Sequence, residues 1–364
     1  MKEGIRFLLF MLLSFFLLSC TESIIGSWPR IAKSEDKTTI KKRIDSQSVY
    51  LNKEDYNGNN ALHLAILHNN IDIVDVLINA GIDLNEPNDY GKYPLILSIK
   101  EGYPDLAKKL IDSGAKVRIS DNRDITPLIL SIQNEYLDLA EKLIDSGAKV
   151  RITDNRDHTP LMWASKKGYA ELAKKLIDNN ANVYEKYYRS SSSINSLDMA
   201  AYFGNSGVVK QIINKTVDID LEEPLYYAVQ GEHLESVQTL INEGADINSR
   251  QGVKDSSADT EYIYNYTCLT LALDSGNVEI AKYLIKEGAD VNKTKEIINR
   301  RSVSKEISPL RIAVGEEHPA LVKMLVKHGA EIQKEDDMLF TIMDIAKRKG
   351  NYEIIKILKR ASSH

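Results

Sequence analysis

The chain has 364 residues, 43% of them hydrophobic and 27% charged, with a net charge of −5. That balance argues against intrinsic disorder and leaves ample apolar side chains for burial, while the acidic sum argues against a general nucleic-acid surface. Two cysteines, Cys20 and Cys268, supply neither a disulfide framework nor a cysteine-rich metal site, so stability has to come from packing.

The chain opens MKEGIRFLLFMLLSFFLLSC, with charges at Lys2, Glu3 and Arg6 and then an apolar run from Phe7 to Leu18 broken only by Ser14. Twelve helical residues rise about 18 Å against a hydrocarbon core of ~30 Å, so the run reads as a secretory signal rather than a span. Its end, Leu17-Leu18-Ser19-Cys20, resembles the lipobox of bacterial lipoproteins. That resemblance implies removal of residues 1–19 and acylation of Cys20, which would anchor the chain stably. A plain signal peptide with an incidental cysteine, or an uncleaved anchor, is compatible with the same run. Residues 20–38 are then the lipidated cysteine and a polar, aperiodic tether.

From there a short motif recurs nine times: NALHLA (60–65), YPLILS (93–98), TPLILS (126–131), TPLMWA (159–164), NSLDMA (195–200), EPLYYA (223–228), TCLTLA (267–272), SPLRIA (308–313) and TIMDIA (341–346). Successive copies start 33, 33, 33, 36, 28, 44, 41 and 33 residues apart. Most are followed by apolar residues at helical spacing and then Gly-Ala or a close relative, as in LAKKLIDSGAKV and IAKYLIKEGADVN. In the fourth copy Thr159 suits an N-cap and Pro160 the first helical position, where its missing N–H is harmless. Leu161 and Ala164 share a face, Gly168 ends the first helix, and Leu172, Leu176 and Ile177 form the stripe of a second.

The motif and its period resemble the ankyrin repeat over about residues 53–360. The resemblance implies an all-α fold, a solenoid of stacked helix-turn-helix units joined by extended finger loops. On this reading the repeat domain spans 39–364. Residues 39–52 form an N-terminal half-repeat cap, and the ninth copy, with its KRKG and LKR segments, is a polar C-terminal cap. Insertions fall near 185–194, 249–266 and 293–306. The dodecamers SGAKVRISDNRD (113–124) and SGAKVRITDNRD (146–157) differ at one position, so Arg123 and Arg156 occupy corresponding fingertips of two copied units.

Catalytic signatures are missing from the sequence: no glycine-rich phosphate loop, no zinc-binding His-Glu-x-x-His helix and no nucleophile elbow. His63 fills the motif's own histidine position, where its expected work is hydrogen bonding in the turn. His233 and His318 fall at starts of second helices. Cys268 stands for the motif's proline, and Trp163 is expected to pack. The chain is therefore read as a non-enzyme without cofactor or metal.

The resemblance further implies that partners bind on the fingertips and the concave side of the first helices. Carried over by position, that surface comprises Tyr56, Asn57 and His68, then Tyr90, Lys92, Lys100 and Glu101. It continues through Asn122, Arg123, Ile125, Gln133 and Asn134, and through Asn155, Arg156, His158, Lys166 and Lys167, to Tyr202 and Phe203. The insertion 249–266 combines Asp255, Asp259 and Glu261 with Tyr262, Tyr264 and Tyr266, the types that adaptable binding loops use. Residues 221–292 hold 13 acids and 4 bases, and residues 293–364 hold 15 bases and 10 acids, an asymmetry able to steer a partner. The expected function is a membrane-anchored, monomeric protein-binding scaffold in a bacterial envelope, facing the periplasm or the surface. Its rivals are an inhibitor or immunity-type protein for one toxin or enzyme, and a protective accessory of an exported enzyme.

Overall fold

The computed structural model describes residue 41 and residues 54–189, 192–255, 262–299, 304–332 and 341–362. The expected signal, the tether with Cys20, and all but Lys41 of the half-repeat cap lie outside the described residues. Helices come in pairs joined by tight turns. The first three are α1 (Ala61–Leu67) with α2 (Ile71–Asn79), α3 (Pro94–Lys100) with α4 (Pro104–Asp112), and α5 (Pro127–Gln133) with α6 (Leu137–Asp145). Next come α7 (Pro160–Lys167) with α8 (Ala170–Asp178), a hairpin β1 (Tyr187–Arg189) and β2 (Ser192–Ile194), and α9 (Ser196–Tyr202) with α10 (Ser206–Lys215). Then follow α11 (Glu222–Gln230) with α12 (Leu234–Asn242), strands β3 (Arg250–Asp255) and β4 (Tyr262–Thr267), and α13 (Cys268–Asp274) with α14 (Val278–Lys286). The chain closes with β5 (Lys295–Asn299), β6 (Ser304–Ile307), α15 (Pro309–Gly315) with α16 (Pro319–Lys327), and α17 (Ile342–Lys349) with α18 (Tyr352–Ala361).

The sequence explains each pair. In the third repeat Thr126 caps α5 by accepting the Ile129 N–H at 3.3 Å, and Pro127 opens the helix. Its apolar residues Leu128, Ile129, Leu130 and Ile132 are buried, as are Leu139, Ala140, Leu143 and Ile144 of α6. Ser131, at the motif's small position, is fully buried and returns its hydroxyl to the Pro127 carbonyl at 2.7 Å. Helices of 7 and 9 residues fall below the ~12–15 residues at which an isolated helix is even marginal. Packing therefore holds them, at roughly 1.5–3 kcal/mol per fully buried Leu or Ile side chain. In α8 the buried stripe is Leu172, Ala173 and Leu176, with Ile177 at its half-buried edge.

The chain divides into two compact units, one ending at Pro160 and the other beginning at Leu161. Within the first, α1, α3 and α5 pack in sequence as first helices, and α4 packs on α6. Within the second, first helices α9, α11, α13, α15 and α17 pack in one row, and second helices α8, α10, α12, α14, α16 and α18 in another.

The insertion at 249–266 was expected as a loop, and most of its described residues are strand instead, as are most of those in the insertion at 293–306. Together they form one antiparallel sheet in the order β3-β4-β5-β6. The cause is compositional: Tyr262-Ile263-Tyr264-Asn265-Tyr266-Thr267 is aromatic and β-branched with a period of two. Its partner strand β5, which places Tyr264 opposite Ile297, comes from the following insertion. The sheet rests on α11 through β3 and on α13 through β4.

Candidate partner-binding surface

The fingers of the first unit are built to one plan. Asp55 Oδ1 accepts the N–H groups of Asn57 and Asn59 at 2.8 and 2.9 Å. Asn88 Oδ1 does the same for Tyr90 and Lys92 at 3.1 and 3.0 Å. Asp121 serves Arg123 and Ile125 at 2.9 and 3.0 Å, and Asp154 serves Arg156 and His158 at 2.9 and 3.0 Å. The fourth residue of each finger is left-handed: Gly58 at φ 70°, Gly91 at 67°, Asp124 at 58° and Asp157 at 60°. These are local Asx-type bonds that fix a tight turn without help from a sheet.

Neighbouring fingers are also tied together. Tyr90 Oη donates to Asn57 Oδ1 at 3.1 Å, and Asn122 Nδ2 donates to the Tyr90 carbonyl at 3.1 Å. A Cβ on Gly91 would lie 2.1 Å from Asn122 Oδ1, so the next finger occupies the space that glycine leaves. Asn57 and Asn122 thus have a demonstrable task inside the fold. Lys100 does as well, since its Nζ is 2.5 Å from Asp121 Oδ2. Burial alone would raise the Asp121 carboxyl, yet the Lys100 ammonium and the Arg123 and Ile125 N–H groups hold it below the usual range.

Exposed on the tips are, among others, Tyr56, at 94%, Tyr90, at 60%, and the side chains of Arg123 and Arg156. Asn155 is exposed beside Arg156, and Ile125 is half-buried. At the ends of the first helices, His68, Glu101 and Asn134 are exposed C-caps, and Gln133 is half-buried. Asn134 Nδ2 also donates to the Ile99 carbonyl at 3.4 Å. Lys92 is half-buried, and its carbonyl lies 3.0 Å from Nε2 of His63, whose Nδ1 lies 2.8 Å from Asn60 Oδ1. His158 is half-buried, with Nδ1 3.7 Å from Asp154 Oδ1.

In the second unit the named residues belong to an aromatic row. Lys166 Nζ sits 5.2 Å from the Trp163 ring centre and 5.4 Å from that of Phe203. Phe203 meets Tyr202 edge to face at 5.2 Å, Tyr202 meets Tyr227 at 6.5 Å, and Tyr227 meets Tyr226 at 5.7 Å. Lys167 is exposed beside them. On the sheet, Tyr262, Tyr264 and Tyr266 follow each other at 6.2 Å spacings along one face of β4. Lys295 lies 4.3 Å over Tyr266 and 5.3 Å over Tyr264, and its Nζ donates to Asp274 at 2.8 Å. Tyr266 Oη donates to the same carboxylate at 3.2 Å, and burial, aided by that charge, pushes its phenol up.

Trp163, Tyr226 and Tyr227 in the row, and Asp274 and Lys295 at the sheet, are contributors not expected from the sequence. A signal was present: in TPLMWA and EPLYYA the aromatics fill the variable places before the small residue. His233 and His318 do stand at second-helix starts, as N-caps of α12 and α16. Cys268 is 2% exposed, and burial pushes its thiol up to about 12, so it is no thiolate at neutral pH. Among the described residues no group of three or more His, Cys, Asp or Glu side chains is placed to hold a metal ion, and no helix is long and apolar enough to cross a membrane.

A family model described as ankyrin repeats (3 copies) matches residues 30–121, 117–187 and 197–295, more than half of the chain. The chain belongs to the ankyrin-repeat family. Repeats of this family are typically non-catalytic interaction modules, and the role they give this chain is protein–protein interaction. A curated relative, the ankyrin repeat and KH domain-containing protein mask-1 of Caenorhabditis elegans, is 33% identical over 92 residues. That match covers 24% of this chain and spans only 3% of the relative's length. Among solved structures, the human ASB11 ankyrin repeat domain aligns at TM-score 0.51 and 19% identity, over 65% of this chain and 98% of that one. The ankyrin repeat domain of Bcl-3 aligns at TM-score 0.52 and 21% identity, with the same shares. These likenesses speak for the fold.

Proposed function

We propose that this protein is a lipoprotein of a bacterial envelope, anchored through Cys20 and a tether of residues 20–38. Its repeat domain, residues 39–364, then captures one protein partner as a monomer and without catalysis. The anchor is supported by the apolar run that ends at Ser19-Cys20. Capture is supported by Tyr56, Tyr90, Arg123 and Arg156 on fingers whose backbones are already fixed, and by Tyr202 and Phe203, each 41% exposed, in the second unit. Aromatic and arginine side chains are the types enriched at binding hot spots. Mounting them on ordered turns spares the partner complex part of the ordering cost. The exposed row on pre-formed fingers is the observation that carries this reading.

The test uses the full chain expressed in a bacterial envelope, captured with its neighbours and compared with a variant carrying Tyr56→Ser, Arg123→Ala, Arg156→Ala and Phe203→Ser. One near-stoichiometric protein, retained by the wild type and lost by the variant, is the expected result. Equal recovery with both chains overturns the surface. Separately, Cys20→Ala should abolish palmitate labelling and release the chain from the membrane fraction; unchanged fractionation overturns the anchor.

A further inference from the structure

Asn195-Ser196-Leu197-Asp198 opens α9 in the register in which Asn60-Ala61-Leu62-His63 opens α1. Both asparagines cap their helices by accepting two backbone N–H groups. The third helical residue differs. His63 places Nε2 3.0 Å from the Lys92 carbonyl, in the finger that leads into α3. A carbonyl can only accept, so Nε2 is the donor, and the first repeat is stitched to the second.

Asp198 holds the same place at 0% exposure. Its Oδ2 accepts the Asn195 N–H at 2.9 Å, while Oδ1 is buried without a hydrogen-bond partner. An ionised carboxylate only accepts, and burying one oxygen unpaired is costly. A proton on Oδ1 would turn that orphan into a donor of the kind His63 supplies.

The surroundings favour the proton. α10 presents apolar Val208, Val209 and Ile212 to the buried side, and α11 begins with Glu222 and Glu223. Asp220 lies just ahead of α11, and its carboxyl is hydrogen-bonded to that of Glu222, which is pushed up as Asp220 is pushed down. Lys186, ahead of β1, is committed to Glu223 at 3.5 Å.

We propose that Asp198 is a proton-operated latch between the fifth and sixth repeats, holding the seam when protonated and loosening it when ionised, because the charge would then lie buried on an unpaired oxygen beside the acidic start of α11. Burial is the largest influence on the carboxyl and, with Glu223 and Asp220 adding to it against the Asn195 N–H and Lys186, pushes it from 3.8 up to about 7. A raised acid stabilises the fold fully below 3.8 and loses that contribution as pH rises through about 7. The seam is thus tight in acidic surroundings, weakens as pH climbs toward neutrality and stays loose above it.

Hydrogen exchange of the full chain between pH 5.5 and 8.5, corrected for the intrinsic rate, reads the latch without any partner. Amides of α9 and α11 should lose about tenfold protection per pH unit as pH rises to the midpoint and level off above it. In Asp198→Asn the side-chain amide donates at every pH, and that slope should vanish. Should this variant fail to fold, Asp198→His, which copies His63, carries the same expectation, and carboxyl carbon resonances report the ionisation directly. A pH-independent seam in the wild type, an unchanged slope in the folded variants, or an Asp198 midpoint below about 5 overturns the latch.

Discussion

Gly91 and Asp124 occupy the same place in successive fingers, and both are left-handed, at φ 67° and 58°. Their surroundings separate them. Gly91 has Asn122 Oδ1 lying 2.1 Å from where a Cβ would stand; Asp124 already carries a side chain at an exposed tip. Gly91→Ala should therefore cost about 2 kcal/mol, from the left-handed backbone and the displaced Asn122 together. Asp124→Gly should stay within about 0.5 kcal/mol, because relief of the backbone is offset by extra freedom in the unfolded chain. Urea unfolding of the two variants checks this, and equal losses would mean the finger does not depend on its neighbour. At this scale the sequence was half legible. The matching exposed tip positions of Arg123 and Arg156 were legible because a duplicated dodecamer marks them. The inward work of Asn57, Asn122 and Lys100 was hidden, because each meets a partner 21 to 33 residues away, which no local pattern displays.

Among elements, the helices were legible and the sheet was not. A helix advertises itself through spacing within its own few residues: Thr126 and Pro127 ahead of Leu128 and Ile132 suffice. Strand β4 has the alternation of a strand, but its pairing with β5 joins two insertions separated by α13 and α14. One polar tie between the sheet and α13 is Lys295, whose ammonium is covered by Tyr264 and Tyr266 and bonded to Asp274. Lys295→Met keeps the buried stem and removes the charge. The Asp274 side chain is 37% exposed and can turn to water, so the loss should be about 2 kcal/mol rather than the 3–5 of a fully buried pair. Amide exchange in β4 and β5 should then quicken some 30-fold, roughly the factor that energy implies, while α17 and α18 stay unchanged. Uniform quickening in all four elements would refute the sheet as a separately clamped element.

At the scale of the two compact units, His63 in the first and Asp198 in the second are buried titrating groups at the same register position. They titrate in opposite senses. Burial, outweighing the Lys92 carbonyl and Asp55, lowers the His63 ring below its ordinary 6.5. A lowered histidine contributes stability above 6.5 that is lost as pH falls toward its folded value, because the unfolded chain takes up the proton first. The Asp198 contribution instead grows as pH falls below about 7. A single melting curve would blend the two, since a chain of several units need not unfold in one step. Local exchange separates them. Taking the chain from pH 8 to 5.5 should weaken protection in α1 and α3 while strengthening it in α9 and α11. His63→Gln keeps a side-chain donor without the titration, so it should flatten the first response and leave the second intact. If both seams moved in the same direction, general charge repulsion would govern the pH dependence, and neither buried group would be its source.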